Sequence, residues 1–157
     1  MSDPLKTWDE LAAGIRCPFD APRPDTGEHW DKINSLSVST LYLHKIQTYR
    51  GYCLLIYDGG HATQLGQLGE QEAAAFMSDL RRAARALSSV VRPHHLNVEM
   101  LGNVIPHLHW HLIPRYKGDP RWGQPIWTTS ENEMLQVFLR NDDRIALLED
   151  LRSALAA

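Results

Sequence analysis

Three histidines alternate with apolar residues in one short segment of the chain, residues 106–114, which reads PHLHWHLIP. In an extended strand, successive side chains point to opposite faces. The pattern therefore predicts a strand over 106–114 with two kinds of face. One face carries the imidazoles His107, His109 and His111. The other face carries the apolar residues Leu108, Trp110 and Leu112, which can pack against a core.

A row of imidazoles suits nucleophilic displacement at phosphorus. A neutral imidazole can attack phosphorus and form a covalent phosphoramidate, which divides one difficult displacement into two easier ones. The attacking ring needs its other nitrogen fixed by a hydrogen bond, and neighbouring rings can bind the non-bridging oxygens. The pattern predicts that His109 attacks while His107 and His111 support it.

A metal site is the alternative interpretation of the same histidines. The outer pair, His107 and His111, would lie ~13 Å apart along a strand. Three rings at that spacing could not share one ion at metal–nitrogen distances near ~2.1 Å, although two could do so with further ligands. A metal-dependent hydrolase therefore stays open as a second hypothesis.

Composition limits the classes of protein to consider. The chain has 157 residues, which is the size of about one domain. Its net charge of −3 does not favour nucleic acid as a partner. No apolar run approaches the ~20 residues needed to cross a membrane, and no leader peptide is visible. The two cysteines, Cys17 and Cys53, cannot build a disulfide framework, so a reducing cytoplasmic location is expected.

Periodicity predicts an α+β domain around this segment. Helices are expected over 4–14, 70–89 and 130–157, and the last has a possible capping box of Ser130 and Glu133. Residues 17–29 contain three prolines and predict an irregular loop. Strands are expected over 35–43, 52–57, 95–101 and 106–114, the last two joined by a short turn at Gly102-Asn103.

The long helix over 70–89 has a predicted buried stripe and a predicted solvated face. The stripe comprises Ala74, Met77, Leu80, Ala84 and Leu87. The solvated face comprises Arg81, Arg82 and Arg85.

Residues 107–113 match in full the motif of the histidine triad family of nucleotide hydrolases and transferases, in which three histidines alternate with apolar residues. Weaker similarity extends over residues 33–116, through Gly102-Asn103, Asn97 and the segment 51–62. The resemblance implies a HIT-like antiparallel sheet of about five strands with one long helix and additional terminal helices. It also implies a single domain over 1–157, with an N-terminal arm (1–32), a core (33–116) and a C-terminal helical extension (117–157).

The resemblance implies residue roles and partners as well. His109 would be the nucleophile, His111 would contact the phosphate, and His107 would hold the network in register. Asn103 would bind phosphate as the family's glutamine does, with Asn97 on the preceding strand. The ligand would be a purine nucleotide, and the chain would form a homodimer. His44 lies nearest by position to the family's ribose-binding residue.

Two departures from the family pattern refine these expectations. Many members have Cys-x-x-Cys near the N-terminus as part of a zinc site. Here Cys17 is the first cysteine of this pattern, and Asp20 stands in place of the second. No cofactor is therefore expected to be required, and a structural zinc, with His61 as a further ligand, is doubted. Val104 stands where phosphoramidases often have serine, which favours hydrolysis of a dinucleoside polyphosphate. Phosphoramidate hydrolysis, nucleotidyl transfer to another acceptor, and nucleotide binding with slow turnover stay open.

The segment 115–127 is rich in basic and aromatic residues. Arg115, Lys117 and Arg121 could bring positive charge to a polyphosphate, and Trp122 or Trp127 could stack on a base. Anchoring of the loop by its tryptophans is the favoured interpretation, and Arg115 is kept as a substrate-binding candidate.

Overall fold

A computed structural model describes residues 4–128 and 136–157, with side chains from residue 7 onward. The helices are α1 (Pro4–Ala12), α2 (Glu70–Val91) and α3 (Asn141–Ala156). The strands are β1 (Trp30–Ser35), β2 (Ser39–His44), β3 (Cys53–Tyr57), β4 (His95–Glu99) and β5 (His109–Arg115). Short 3-10 turns cover Leu65–Gln67 and Ile126–Thr128. None of the helices in these two ranges is both long and apolar enough to cross a membrane.

The five strands form one antiparallel sheet in the order β1-β2-β3-β5-β4. β5 therefore lies between β3 and β4, where His111 is paired with Leu54 on one side and Glu99 on the other. One face of the sheet packs against α2, and α3 packs against α2 and β1. The predicted α+β class, the five-stranded sheet and the long helix are confirmed.

The apolar face of α2 is rotated from the predicted stripe. Its buried residues include Phe76, Leu80, Ala83 and Leu87, whereas Met77 is 42% exposed. The ring of Phe76 contacts those of Tyr57 and Trp110, at centroid distances of 5.5 and 6.3 Å. An alanine-rich helix offers several weak stripes, and the fit of this one large ring selects among them.

The stripe prediction was thus wrong at Met77 and Ala74, which are exposed, and at Ala84, which is only half-buried. The three arginines of α2 are exposed, as predicted.

Within the predicted strand 35–43, residues 36–38 form a hairpin turn, and Ser35 and Ser39 are the flanking ends of β1 and β2. Asp79 on α2 is buried, and its carboxylate accepts hydrogen bonds from the backbone N–H groups of Ser37 and Val38. It also accepts one from the hydroxyl of Ser39, at 2.7 Å. These bonds hold the turn between β1 and β2, so β1 begins earlier in the chain, at Trp30.

The strand β5 begins at His109, later than predicted, so it contains His109 and His111 while His107 lies just before it. Residues 100–108 form a loop in place of the expected short turn, and the indole N–H of Trp8 donates to the carbonyl of Gly102 at 2.9 Å. Leu108 is nevertheless buried in the core beneath α2, as the alternation predicts.

A second apolar cluster covers the other face of the sheet. It joins Cys17 and Phe19 of the N-terminal arm to Tyr52, Leu54 and Ile56 around β3. Ile126, which follows β5 in the chain, also belongs to this cluster. The arm and the segment after β5 therefore lie over the face that carries the histidines.

The C-terminal helix is tied to the edge strand β1 by arginines. Arg144 forms an ion pair with the buried Asp31. Arg152 donates to the carbonyls of Ile33 and Lys32, at 3.0 and 2.8 Å. The helix begins at Asn141 rather than at 130, and the predicted capping box of Ser130 and Glu133 lies outside the described residues.

The chain enters β3 through a close turn at Gly51. The φ angle of Gly51 is +92°, in a region that favours glycine. A Cβ atom added there would lie 2.9 Å from the side chain of Val91, at the end of α2. Glycine is therefore required here for both conformation and space, and it sets the position of the next residue, Tyr52.

Candidate active site

His109 and His111 lie side by side on β5, on the face away from α2. Their ring centroids are 4.8 Å apart, and their Nε2 atoms are 3.1 Å apart. His109 is 6% exposed, and His111 is half-buried. The strand geometry thus brings together the predicted nucleophile and the predicted phosphate ligand.

One hydrogen bond sets the tautomer of His109. Its Nδ1 atom lies 2.6 Å from the carbonyl oxygen of His107. A carbonyl can only accept, so Nδ1 carries the proton and Nε2 keeps a free electron pair. Burial lowers the pKa of His109, which favours the neutral ring. This is the protonation state that a nucleophilic imidazole needs.

His111 is held between an aromatic stack and its neighbour. Its Nδ1 atom lies 2.6 Å from the hydroxyl of Tyr52, whose ring stacks on that of His44 with centroids 4.8 Å apart. Burial, together with the nearby His109 and His44, lowers the pKa of His111 to about 3. His111 is therefore neutral at pH 7 and can supply only one N–H group to a ligand.

His107 shares the face of the other two histidines but has different neighbours. Phe19 contacts the rings of His107 and His109 edge-on, with centroids 5.6 and 5.3 Å away. The Nε2 atom of His107 lies 2.9 Å from the carbonyl oxygen of Tyr57. Its Nδ1 atom therefore keeps a free electron pair.

Four metal-binding side chains converge at His107: Cys17, Asp20, His61 and His107, whose ligand atoms all lie within 4.8 Å of one another. The Nε2 atom of His61 lies 3.0 Å from the carbonyl of Ala12, so the Nδ1 atom of His61 also keeps a free electron pair. The carboxylate of Asp20 lies 2.7 Å from that nitrogen and 3.2 Å from the Nδ1 atom of His107.

These contacts test whether the residues fit a metal ion. Electron pairs of two imidazoles face a carboxylate, and acceptors at such distances require protons or a cation between them. One thiol, one carboxylate and two imidazoles match the ligand types of a tetrahedral zinc site. The donor set therefore fits a divalent cation, although position 20 lacks the thiolate of the family pattern. The expectation that no cofactor is required stays a prediction.

Arg115 is engaged within the loop that follows β5. It is 3% exposed, and its guanidinium makes two hydrogen bonds to Asp119, at 2.8 and 2.9 Å. The same group donates to the carbonyls of Gln124 and Arg121. These contacts argue against the predicted role of Arg115 in substrate binding and indicate that it shapes the loop.

The two asparagines predicted to bind substrate have different positions. Asn103 is exposed in the loop before β5. Asn97 lies on β4, where its side-chain amide donates to the carboxylate of Glu99 at 3.3 Å. Asn97 is therefore linked to the site through Glu99, and both asparagine assignments stay predictions.

Two residues near His111, Tyr52 and Glu99, were missed by reasoning from the sequence, which named Trp127 only as an alternative for stacking on a base. Glu99 is paired with His111 across β4 and β5 and accepts a hydrogen bond from the indole of Trp127. The ring of Trp127 meets that of His111 edge-on, with centroids 5.1 Å apart. The alternation of Asn97 and Glu99 along β4 is the one signal that could have indicated Glu99.

The two tryptophans after β5 have different surroundings. Trp122 contacts His94 edge-on at 6.2 Å, which is consistent with anchoring of the loop. Trp127 instead forms part of the wall beside His111, as described above. The sequence could not distinguish them.

An open cleft of about 370 Å³ lies at the His107 end of the site. Phe19, Tyr42, Asp58 and His107 are among its lining residues. Arg23 crosses it, with its guanidinium bound to Asp58 and to the hydroxyl of Tyr42. The arm thus frames an opening beside the histidines.

The comparisons with known proteins agree with this geometry. The family described as HIT domain matches residues 32–118, more than half of the chain. The chain belongs to the HIT domain family.

The similar proteins have modest sequence identity to this chain. An AP-4-A phosphorylase of Mycobacterium tuberculosis is 28% identical over 102 residues, which are 61% of this chain and 51% of that protein. The chain thus spans about half the length of the curated relatives it matches. A histidine triad protein from Bradyrhizobium japonicum is 27% identical, with a TM-score of 0.75 over 86% of this chain and 97% of that one.

More distant solved structures support the fold alone. A histidine triad protein from Sinorhizobium meliloti is 17% identical, with a TM-score of 0.74 over 88% of this chain and 98% of that one. A zinc-bound histidine triad family protein from Mycobacterium smegmatis is 22% identical, with a TM-score of 0.56 over 96% and 92%.

Proposed function

We propose that the chain transfers a nucleotidyl group from a dinucleoside polyphosphate to water, through a covalent nucleotidyl-His109 intermediate. The observation that carries the proposal is the free electron pair on the Nε2 atom of His109, fixed by the bond from Nδ1 to the carbonyl of His107. The similarity to an AP-4-A phosphorylase supports a nucleotide of this type as substrate.

The proposed first step is attack by the Nε2 atom of His109 on the α-phosphorus. A phosphorus–nitrogen bond forms while the bond from the α-phosphorus to the bridging oxygen breaks. The phosphate takes the place of the contact between His109 and His111, and the N–H of His111 donates to a non-bridging oxygen. In the second step, water attacks the same phosphorus, and a phosphorus–oxygen bond forms while the phosphorus–nitrogen bond breaks. His109 is released with its electron pair on Nε2, and the proton of the water passes to solvent.

The state of the histidines favours a polyphosphate leaving group. Burial lowers the pKa of all three histidines, which leaves them neutral. A polyphosphate departs as a stable anion and needs no proton, whereas the amine of a phosphoramidate must be protonated as it leaves. This argument supports the dinucleotide over the phosphoramidate.

A second candidate function is transfer to inorganic phosphate. The name of the relative, AP-4-A phosphorylase, motivates it. The first step would be the same, and phosphate would replace water as the second nucleophile. From diadenosine tetraphosphate, hydrolysis gives AMP and ATP, whereas phosphorolysis gives ADP and ATP.

The test is incubation of the purified chain with diadenosine tetraphosphate, with and without inorganic phosphate, and separation of the products. AMP that forms regardless of phosphate supports hydrolysis, and ADP that requires phosphate supports phosphorolysis. The phosphorus–nitrogen bond of the intermediate is acid-sensitive, so the reaction is quenched without acid. Mass spectrometry of the quenched protein should then find the nucleotidyl group on His109. Turnover that persists unchanged in His109→Asn would refute the covalent route.

A structural metal would act at the other end of the motif. Cys17, Asp20, His61 and His107 would hold it, and the ion would supply a cross-link between the N-terminal arm and the histidine segment. The covalent chemistry proposed for His109 does not require it.

A homodimer is part of the proposal. Within residues 4–128 and 136–157, β4 pairs only with β5, so its outer edge is available to another strand. Sedimentation analysis would test this, because a monomer at micromolar concentration would refute it. A cytoplasmic location stays a prediction.

A further inference from the structure

Tyr52, the residue just before β3, contacts His111 and has no role in the chemistry proposed above. Its hydroxyl lies 2.6 Å from the Nδ1 atom of His111. Its ring belongs to the apolar cluster on the histidine face and is 9% exposed. The direction of this hydrogen bond determines which nitrogen of His111 carries the proton.

The direction follows from the fixed end of the chain of contacts. The Nε2 atom of His109 must accept, since the Nδ1 atom of that ring donates to a carbonyl. The Nε2 atoms of His109 and His111 are 3.1 Å apart, so the Nε2 atom of His111 must donate. The Nδ1 atom of a neutral His111 therefore has no proton, and the hydroxyl of Tyr52 donates to it.

The opposite direction creates a conflict. If the Nδ1 atom of His111 donated to the oxygen of Tyr52, its Nε2 atom would hold an electron pair. That pair would face the electron pair of His109 at 3.1 Å, inside a buried site. Two acceptors that face each other there without a proton between them are unfavourable, because neither regains the hydrogen bond that it loses with water.

We propose that Tyr52 is a positioning residue that holds His111 in the tautomer with its proton on Nε2. This keeps an N–H group aimed at the place where the phosphate oxygen binds. The consequence for turnover rests on the function proposed above, whereas the tautomer itself does not.

Tyr52→Phe isolates the hydroxyl, because phenylalanine keeps the ring that stacks on His44. Tyr49→Phe is the matched control. Tyr49 lies in the same apolar cluster, and its buried hydroxyl has no hydrogen-bond partner among the described residues. Both variants lose one oxygen from the same region, and only one of them loses a contact with a histidine.

The first measurement is the nitrogen-15 spectrum of the imidazoles at pH 7.5, with His111 assigned through His111→Gln. The wild type and Tyr49→Phe should show His111 protonated on Nε2 alone. In Tyr52→Phe the His111 signals should shift toward a mixture of both tautomers. Unchanged His111 signals in Tyr52→Phe, or protonation on Nδ1 in the wild type, would overturn the proposal.

The second measurement is turnover of diadenosine tetraphosphate. Tyr52→Phe should lower kcat by about tenfold to hundredfold with little change in KM, since the N–H contact strengthens in the transition state. Tyr49→Phe should retain kcat, and both variants should keep cooperative thermal unfolding. An equal fall of kcat in both variants would contradict the role of Tyr52. If the wild type turns over no nucleotide, the proposed function fails while the spectra still decide the tautomer.

Discussion

The two ends of the histidine motif use the same side chain in opposite ways. At the upstream end, the Nε2–H group of His107 donates a hydrogen bond to the carbonyl of Tyr57, and Nδ1 keeps its electron pair. Toward the downstream end, the Nδ1–H group of His109 donates a hydrogen bond to the carbonyl of His107, and Nε2 keeps its electron pair. One free nitrogen faces Cys17 and Asp20, and the other faces His111.

This difference shows that a backbone carbonyl sets which nitrogen of each histidine keeps a free electron pair. Both rings are buried and neutral, and they are two residues apart on the same face. The carbonyl occupies a different nitrogen in each ring, which leaves Nδ1 of His107 free as the proposed cation ligand and Nε2 of His109 free as the proposed nucleophile. The predictions below would separate the two ends.

The largest effect is expected for His109→Asn. The amide of asparagine can still donate to the carbonyl of His107, so the fold should be retained, whereas the nucleophile is lost. Turnover of diadenosine tetraphosphate should fall by roughly 10⁴-fold or more. Steady-state kinetics with thermal unfolding as a control would check it. A fall of less than tenfold would mean that another group attacks.

The next effect concerns the His107 end. Protein produced with zinc in the medium should carry about one zinc per chain by elemental analysis, because four donors converge there. His61→Ala should lose the metal and unfold at a lower temperature. His95→Ala, which removes an exposed histidine outside the cluster, should retain it. Equal metal content in both variants would contradict the assignment.

Acid should destabilise the fold through His111. Folding lowers the pKa of His111 from 6.5 to about 3, so the unfolded chain binds the proton more tightly. The stabilising difference is fully present above pH 6.5 and is lost as the pH falls toward about 3, by at most about 1.4 kcal/mol per pH unit.

The groups that face His111 are Tyr52, His44, Glu99 and His109, so a difference measurement is needed to isolate it. Chemical denaturation between pH 7.5 and 4.5 should give a shallower dependence for His111→Gln than for the wild type. Parallel curves would show that His111 does not titrate as described.

The smallest effect is expected for Trp127→Ala. Trp127 contributes an edge contact to His111 and a hydrogen bond to Glu99. An aromatic contact of about 0.5–1.5 kcal/mol corresponds to a loss in kcat/KM between about twofold and about 13-fold. Trp122→Ala, which removes a ring contact with His94 rather than one with His111, should leave kcat/KM unchanged. A similar loss in both variants would indicate that the loop acts only as a whole.

The local sequence pattern predicted the strand that carries His109 and His111 and the long helix α2. Alternation around His109 predicted the strand and the burial of Leu108 and Leu112. Apolar periodicity located α2 to within two residues of its C-terminal end. The α+β class followed from the order of these elements.

Contacts between distant parts of the chain could not be predicted in the same way. Tyr52 and His111 are 59 residues apart, and Cys17 and His107 are 90 apart. Asp79 is acidic, and a periodicity argument would place such a residue on the solvent face of its helix. It is instead buried, because its carboxylate binds the turn before β2. The identity of such partners depends on the packed sheet, which no local window contains.

The close turn at Gly51 has a consequence for how the active site can vary. Val91 leaves no room for a side chain at Gly51, so the end of α2 limits the position of Gly51 and of the next residue, Tyr52. Substitutions at Val91 would therefore affect the pair of His109 and His111 through Gly51 and Tyr52, without direct contact. A change of helix length or side-chain size on the far side of the sheet would be transmitted to the proton on His111.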